Sequence, residues 1–285
     1  MKLKETIVLE QLDSQKRLSD ALISQFESIP SRKGIKKAIQ KGLVKINGKI
    51  ATTGIYVTGG ETVELFFRSG KKDQKGYKLK LEVLFEDEFL AIINKPSGIV
   101  VSGNQKRTIR NALINEIKSS NELDNLRRPE PVHRLDYATS GLLIVAKTHN
   151  TMTKLNQMFE ARQIQKTYVA IVFGDIAESG EIDEQIKSKT AVTKFKKLKT
   201  IPSDKYANLS LVELQPTTGR KHQLRIHLEG IGHPIIGDHK YPGQYKSQTI
   251  KGLHLHASNL SFKHPVTDEE ISIEAELPKK FAKWI

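Results

Sequence analysis

The sequence predicts an α+β protein in which a small αα-β unit precedes a larger mixed domain. Many short apolar runs are separated by turn residues, and few segments have the apolar period of a long helix. Residues 69–80 are polar and charged and have no apolar period, as expected of a linker. In a chain of 285 residues we therefore expect a small domain at 1–68, a linker at 69–80 and a large domain at 81–285.

Two helices, a hairpin and a further strand are predicted in the first domain, over residues 17–29, 31–41, 43–52 and 60–67. Pro30 ends the first helix, Ser31 can cap the N-terminus of the second helix, and Gly42 closes it. Asn47 followed by Gly48 is a strong signal for a hairpin turn.

Positive charge is concentrated in the first quarter of the chain. The whole chain has 46 Lys and Arg against 32 Asp and Glu, a net charge of +14. The first 80 residues have 17 basic and 8 acidic side chains, and the second predicted helix has a cationic face. A polyanion is the partner that this distribution favours, although a basic helix can also be a solvated surface.

The large domain is predicted to contain short strands and two helices. Strands are expected on both sides of the turn at 86–88 and near 167–174, 190–199, 253–262 and 271–277, with helices near 107–118 and 149–161 and a loop at 120–130. Many short strands with few long helices favour a mixed α+β domain.

The segment PVHRLDYATSGLLIVAK, residues 131–147, places Asp136 directly before a buried apolar run. A carboxylate at such a junction has a fixed position, and it can act as nucleophile or base if a cation holds it ionised. The later segment TGRKHQLRIHL offers Arg220 and Arg225 as that cation. If this segment is a strand, Arg225 lies on one face and His222 on the other. A structural ion pair is the alternative.

Six segments together resemble the RluA-type RNA pseudouridine synthases: INKPSGIVV, VHRLDYATSGLLIVAKT, QKTYVAIVFG, PTTGRKHQLRIHL, GHPIIGDHKY and LHA. They lie between about residues 81 and 277. The resemblance implies the pseudouridine synthase fold, a curved, mainly antiparallel sheet in two halves with a central cleft. It also implies isomerisation of uridine in RNA without a metal or a cofactor.

The same resemblance implies roles for particular residues. Asp136 would be the catalytic carboxylate, and Arg225 would keep it ionised, with Arg220 as the second choice. Tyr168 would stack on the uracil and is a candidate to take the proton lost from carbon 5. Arg134 would fill the space left by a flipped base or clamp a phosphate. Whether Asp136 attacks the sugar, attacks the uracil or removes a sugar proton stays open.

The first domain resembles the S4-type RNA-binding domain, also called alpha-L. The shared features are the RL helix start, the Ser-Arg opening of a basic helix, the N-G-K turn and the closing strand. The positions that the resemblance assigns to RNA binding are Ser31, Arg32, Lys36, Lys37, Lys45 and Lys49.

One departure from the family pattern follows the catalytic motif. Tyr137 and Ala138 stand where the common pattern begins with Lys or Arg. Because Asp136 is unchanged, we expect this difference to affect the choice of substrate rather than activity.

Three further classes of protein are alternatives. A metal enzyme is suggested by histidines in the last quarter of the chain, but their spacing fits no common metal signature. A glycoside or nucleoside hydrolase would need a second acid opposite Asp136; no residue stands out for that role, and Asp238 is the one left open. A catalytically silent RNA-binding protein would keep the fold, yet Asp136 and its Arg and Tyr partners are present.

The remaining expectations concern the cell. The chain has no cysteine, no signal peptide and no run of about 18 apolar residues, so we expect a cytoplasmic protein without membrane contact. RNA is the expected partner, with rRNA favoured and tRNA the alternative, and we expect a monomer.

Overall fold

The computed structural model describes residues 2–67 and 76–285, and the chain divides into two compact units, Met1–Lys75 and Gly76–Ile285. Residues 69–75 of the expected linker lie outside the described residues, and residues 76–80 form neither helix nor strand. Within the described part of the chain, no helix is long and apolar enough to span a membrane.

The first unit contains two small sheets and two helices in its described residues. The elements are β1 (Lys2–Val8), β2 (Lys16–Arg17), α1 (Leu18–Ala21), α2 (Arg32–Gln40), β3 (Val44–Ile46), β4 (Lys49–Ile50), β5 (Tyr56–Val57) and β6 (Thr62–Phe67). The larger sheet has the strand order β1-β6-β3-β4, and β2 pairs with β5. Strands β1, β2 and β5 were not predicted.

The first predicted helix is much shorter than its apolar pattern indicates. It ends at Ala21, and Ser24 adopts a left-handed conformation with φ of 62°. The resulting bend lets Leu22 and Phe26 enter the same core, in which both are fully buried. Burial of two large apolar side chains here outweighs the weak local preference for continuing the helix.

The second helix begins as predicted. Ser31 Oγ accepts a hydrogen bond from the Gly34 backbone N–H at 3.2 Å, which caps the helix. Gly34 looks unfavourable inside a helix, but a Cβ there would lie 2.4 Å from Ile29 Cγ2. Ile29 packs so closely against the helix at this position that a side chain on residue 34 would collide with it, which explains the glycine. Asn47 and Gly48 both have positive φ, as a two-residue hairpin turn requires.

The second unit, residues 76–285, contains ten strands and three α-helices. The elements are β7 (Glu82–Glu86), β8 (Leu90–Lys95), α3 (Ile109–Glu116), β9 (Asn125–Pro131), β10 (Ser140–Thr148), α4 (His149–Glu160), β11 (Gln165–Phe173), β12 (Ser179–Asp183), β13 (Val192–Ser203), β14 (Ala207–Pro216), α5 (Gln223–Gly230), β15 (Leu255–Lys263), β16 (Glu270–Glu274) and a 3₁₀ helix at Phe281–Lys283. The expected loop at 120–130 is partly wrong, because β9 occupies its second half.

One mainly antiparallel sheet runs through this unit, in the order β12-β13-β14-β11-β15-β10-β8-β7, with β16 on β15 and β9 on β10. Its two halves meet where β10 runs parallel to β15, and that pairing covers only two residue pairs, Ser140 with His256 and Gly141 with Ala257. The predicted sheet in two halves is thus confirmed. The junction between the halves is the shortest strand pairing in the sheet.

The apolar run of β10 is continuous because both faces of the sheet are covered. Leu143 and Val145 pack with α3 in one core cluster, whereas Leu142 and Ile144 pack with α4 in another. Every residue of β10 is buried. A strand of this kind has no polar face, which explains the absence of alternation.

Candidate active site

Asp136 lies in the loop between β9 and β10, immediately before the junction of the two half-sheets. Leu135 is buried in the core beside it, and the Thr139 backbone N–H donates to Asp136 O at 3.2 Å. The Gly98 backbone N–H donates to Tyr137 O at 2.8 Å, which ties the loop to the segment after β8. The carboxylate is therefore presented by a loop that is held by its own turn and by the segment after β8.

Gly141 makes this presentation possible. Its φ is +115°, and a Cβ there would lie 2.2 Å from the carbonyl oxygen of Ala257 on β15. Only glycine combines this backbone conformation with such a close approach. The junction of β10 with β15, and with it the position of Asp136, depends on that residue.

Arg225 reaches Asp136 from α5, and it is shared with a second carboxylate. Its Nη1 lies 3.3 Å from Asp136 Oδ2, while Nε and Nη2 lie 2.7 and 2.8 Å from the two oxygens of Asp238. Asp238 also accepts from the backbone N–H groups of Lys240 and Tyr241. Burial disfavours its charge, but Arg225 and the two amides outweigh burial and lower the pKa of Asp238.

This arrangement argues against Asp238 as the second acid of a hydrolase. The side chain is 1% exposed and does not line the cleft that contains Asp136. With its lowered pKa, it is ionised at neutral pH and cannot serve as a general acid.

The segment that could have been a strand is a helix, and this changes which residues share a face. α5 begins at Gln223, whose side chain accepts from the Arg220 N–H, and Leu224 and Leu228 are buried one turn apart. His222 is the N-cap residue of this helix, just before its first turn, and its ring lies with Arg225 at Asp136 instead of facing away. Sequence reasoning missed this role of His222, although the Leu224 and Leu228 spacing was a helical signal.

His222 has an unusual backbone. It precedes α5 in the left-handed conformation, with φ of 60°, and its Nε2 lies 3.6 Å from Asp136 Oδ1. Its Nδ1 lies 2.9 Å from the hydroxyl of Tyr241. Burial lowers the pKa of His222 more than the nearby Asp136 raises it, so the ring is neutral at neutral pH.

Tyr168 lines the same cleft from β11. Its strand bulges between Thr167 and Tyr168 where it pairs with β15. Burial, with a smaller contribution from the Asp136 carboxylate, raises the pKa of Tyr168. The side chain is therefore a neutral phenol beside the carboxylate.

The cleft has a volume of about 820 Å³, large enough for an extruded nucleotide. Besides Asp136 and Tyr168 it is lined by basic side chains from several elements: Arg134, Arg162, Lys166, Lys194, Arg220, Lys221 and Arg225. Arg134 is exposed at the rim. Arg220, the second choice as partner of Asp136, instead donates from Nε to Thr190 O at 3.0 Å.

The histidines of the metal alternative have other contacts. His227 contacts Thr193, and His233 lies 2.8 Å from Phe173 O. Within residues 2–67 and 76–285, no three His, Asp or Glu side chains form a group that could hold a metal ion.

The positions predicted to bind RNA in the first unit lie on α2, on its N-cap and on the β3–β4 hairpin: Ser31, Arg32, Lys36, Lys37, Lys45 and Lys49. Arg32 forms an exposed ion pair with Asp20, and Lys45 Nζ lies 4.9 Å above the ring of Phe66. Lys37 and Lys49 are exposed to solvent. The unit thus presents cations from two adjacent elements.

Comparisons with known proteins agree in both units. The profile of the RNA pseudouridylate synthase family matches residues 89–230, and that of the S4 domain matches residues 17–63. An uncharacterised RNA pseudouridine synthase of Bacillus subtilis (strain 168) is 32% identical, over 93% of this chain and 92% of its own length. The ribosomal large subunit pseudouridine synthase D of Vibrio parahaemolyticus is 31% identical, over 93% and 89%.

A solved structure extends the similarity to the fold. Human RNA pseudouridylate synthase domain containing 4 is 27% identical and has a TM-score of 0.56, over 70% of this chain and 90% of that protein. Sequence and fold therefore agree: the chain belongs to the RluA-type RNA pseudouridine synthases and has an S4 domain in its N-terminal part.

Proposed function

We propose that this enzyme isomerises one or a few uridines in structured RNA, with ribosomal RNA as the favoured substrate, and that Asp136 is its catalytic carboxylate. The observation that carries the proposal is the environment of Asp136. Its carboxylate lies between Arg225 and His222 and lines a large cleft with many basic side chains. Several relatives of this chain are named ribosomal large subunit pseudouridine synthases, which supports rRNA over tRNA.

The reaction needs a fixed carboxylate more than it needs any other group. It breaks the bond between the sugar and N1 of uracil, turns the ring and forms a bond to C5, and the proton on C5 is transferred at the end. No electron pair or chemical group enters or leaves overall. Asp136 can take part only while ionised, and Arg225 supplies the balancing positive charge in the partly buried site.

For Tyr168, the structure supports one of the two roles that the resemblance implies. A phenol whose pKa is raised by burial is a poor base at neutral pH. Its aromatic ring, however, lines the cleft beside Asp136 and offers a face for the uracil. We therefore assign stacking to Tyr168.

The cations of the cleft fit a nucleotide that has left its stack. A target uridine must be extruded from structured RNA to reach Asp136, and its flanking phosphates then pass the rim. Arg134 and Lys194, exposed in the lining, come from different elements and can meet phosphates on different sides. We further propose that the enzyme is a monomer and that, with a ribosomal RNA substrate, it acts in the cytoplasm.

The decisive experiment maps pseudouridine in total RNA from cells with and without the gene. Loss of one or a few sites, restored by wild type but not by Asp136→Asn, would support both the substrate class and the role of Asp136. Restoration by Asp136→Asn would refute that role. If the lost sites are in tRNA instead of rRNA, the proposed rRNA substrate is wrong and tRNA is the substrate.

The contribution of the S4 domain is tested through salt dependence. Replacing Lys37 and Lys49 together by Gln should reduce the slope of log K against log salt by roughly 0.7–0.9 for each phosphate that is no longer neutralised. Lys263→Gln, at the exposed end of β15, serves as the control. Equal slopes in all three proteins would show that these lysines do not contact RNA.

A further inference from the structure

Tyr241 contacts both side chains that hold Asp136. Its hydroxyl lies 2.9 Å from Nδ1 of His222, and the guanidinium carbon of Arg225 lies 5.1 Å from the centre of its ring. The rings of His222 and Tyr241 meet edge to face, with centroids 5.6 Å apart. One aromatic residue thus supports two groups that approach different oxygens of the carboxylate.

The position of Tyr241 is itself fixed by the ion pair of Arg225. The Tyr241 backbone N–H donates to Asp238 Oδ1 at 3.1 Å, and the same oxygen lies 2.8 Å from Arg225 Nη2. The chain from 238 to 241 therefore holds Arg225 through the carboxylate and covers it with the ring. Cation–π contacts of this kind favour the planar guanidinium over other cations.

The protonation of this cluster follows from its partners. Burial raises the pKa of Tyr241, and burial lowers the pKa of His222, so both are neutral at neutral pH. Nε2 of His222 faces a carboxylate, which only accepts hydrogen bonds, so Nε2 carries the proton. Nδ1 is then an acceptor, and the Tyr241 hydroxyl donates to it.

We infer that Tyr241 is a positioning residue of the isomerisation reaction: it sets the tautomer and the ring orientation of His222 and stacks on Arg225, so that both oxygens of Asp136 face fixed donors. The inference rests on the proposed role of Asp136. The Nε2 to Oδ1 distance of 3.6 Å is longer than a hydrogen bond, so His222 acts on the carboxylate through its dipole in the free enzyme. An oriented carboxylate matters because small displacements of a reacting group cost large factors in rate.

The two contacts of Tyr241 can be separated by substitution. Tyr241→Phe keeps the ring above Arg225 and removes the hydrogen bond to His222, whereas Tyr241→Leu removes both. We expect kcat to fall about 10-fold in Tyr241→Phe and about 100-fold in Tyr241→Leu, with little change in KM, because orientation rather than RNA binding is lost. Tyr245→Phe is the matched control, since Tyr245 stacks on Phe173 away from the cleft.

A double-mutant cycle distinguishes positioning from a general structural role. His222→Asn suits the left-handed backbone at this position and removes the ring nitrogen that faces Asp136. In that background, Tyr241→Phe should have no further effect on kcat, because its partner is gone. An unchanged kcat in Tyr241→Phe, or the same loss with and without His222, would overturn the inference.

Failure of this inference is distinguishable from failure of the proposed function. Asp136→Asn is assayed on the same RNA in parallel. If it is inactive while Tyr241→Phe keeps the wild-type kcat, only the positioning role is wrong. If Asp136→Asn turns over normally, the role of Asp136 and the positioning role are both wrong.

Discussion

Arg225 is bound more closely by Asp238 than by Asp136. Two of its nitrogens lie 2.7 and 2.8 Å from the oxygens of Asp238, whereas its nearest approach to an Asp136 oxygen is 3.3 Å. Asp238 therefore fixes the direction of the guanidinium, and only Nη1 is left to contact Asp136. The carboxylate proposed to react is thus less tightly bound than the one that only supports the site.

The first prediction concerns Asp238→Asn. This change leaves Arg225, which is 8% exposed, without its main counter-charge. Loss of one partner of a buried ion pair typically lowers the free energy of unfolding by about 3–5 kcal/mol. We expect a loss of this order in chemical denaturation and a fall in kcat of at least about tenfold as Arg225 turns from Asp136.

The control for this prediction is Glu178→Gln, which removes an exposed partner of Lys197. Exposed ion pairs contribute little, so we expect its stability and activity to match the wild type. If Asp238→Asn destabilises the protein no more than Glu178→Gln does, Asp238 does not hold Arg225 in place.

A second prediction tests the junction of the half-sheets. Gly141→Ala would place a Cβ 2.2 Å from Ala257 O at a φ of +115°. Backbone strain and overpacking together should cost about 2–4 kcal/mol in unfolding free energy, and kcat should fall with the displacement of Asp136. Gly230→Ala, with nothing within 4 Å of the added Cβ, should be neutral or slightly stabilising. Equal stability of the two variants would contradict the close approach of β10 to β15.

A third prediction concerns acid stability. Burial lowers the pKa of His133 to about 3 and those of His254 and His256 to about 4. The unfolded chain binds protons on these rings below about pH 6.5, and the folded chain binds them only near pH 3–4. The stability contribution is therefore complete above pH 6.5 and is lost as the pH falls towards 4, by up to about 1.4 kcal/mol per pH unit for each histidine.

Denaturation curves between pH 7 and pH 4 measure this slope. In His133→Gln, whose amide oxygen can accept the Ile144 N–H in place of Nε2, we expect a shallower fall than in the wild type. His239→Gln, at an exposed loop position, should keep the wild-type slope. If the slope of stability against pH is the same in His133→Gln as in the wild type, His133 is not buried in its neutral form.

The fourth prediction addresses the departure at Tyr137. Its side chain is 60% exposed and does not line the cleft, so Tyr137→Lys should leave the fold and kcat within about twofold of wild type. If a phosphate passes there, the added cation should make the slope of log K for RNA binding against log salt steeper by roughly 0.7–0.9. Leu123→Lys adds the same charge at a fully exposed position outside the cleft and serves as the control. Loss of kcat without a change in affinity would place Tyr137 in the chemistry instead.

Local patterns predicted much of the fold because local physics decides those elements. Ser31 caps α2, Asn47 and Gly48 form a hairpin turn, and the run after Asp136 is a buried strand, as their short-range preferences indicated. The first helix was predicted too long because burial of Leu22 and Phe26 in a shared core overrides the apolar period. The segment 221–227, KHQLRIH, was compatible with a strand because Leu224 and Ile226 alternate with polar residues over a stretch too short to exclude either period.

The sequence by itself determined the family, the order of most elements and the identity of Asp136, Arg225 and Tyr168 as the residues to examine. Only the tertiary structure decided how they are held: Asp238 is the main partner of Arg225, His222 faces the second oxygen of Asp136 and is contacted from behind by Tyr241, and Gly141 packs against Ala257. Asp136 and Arg225 are 89 residues apart in the chain. Contacts over that separation depend on how α5 packs on the sheet, and no local preference of the backbone contains that information.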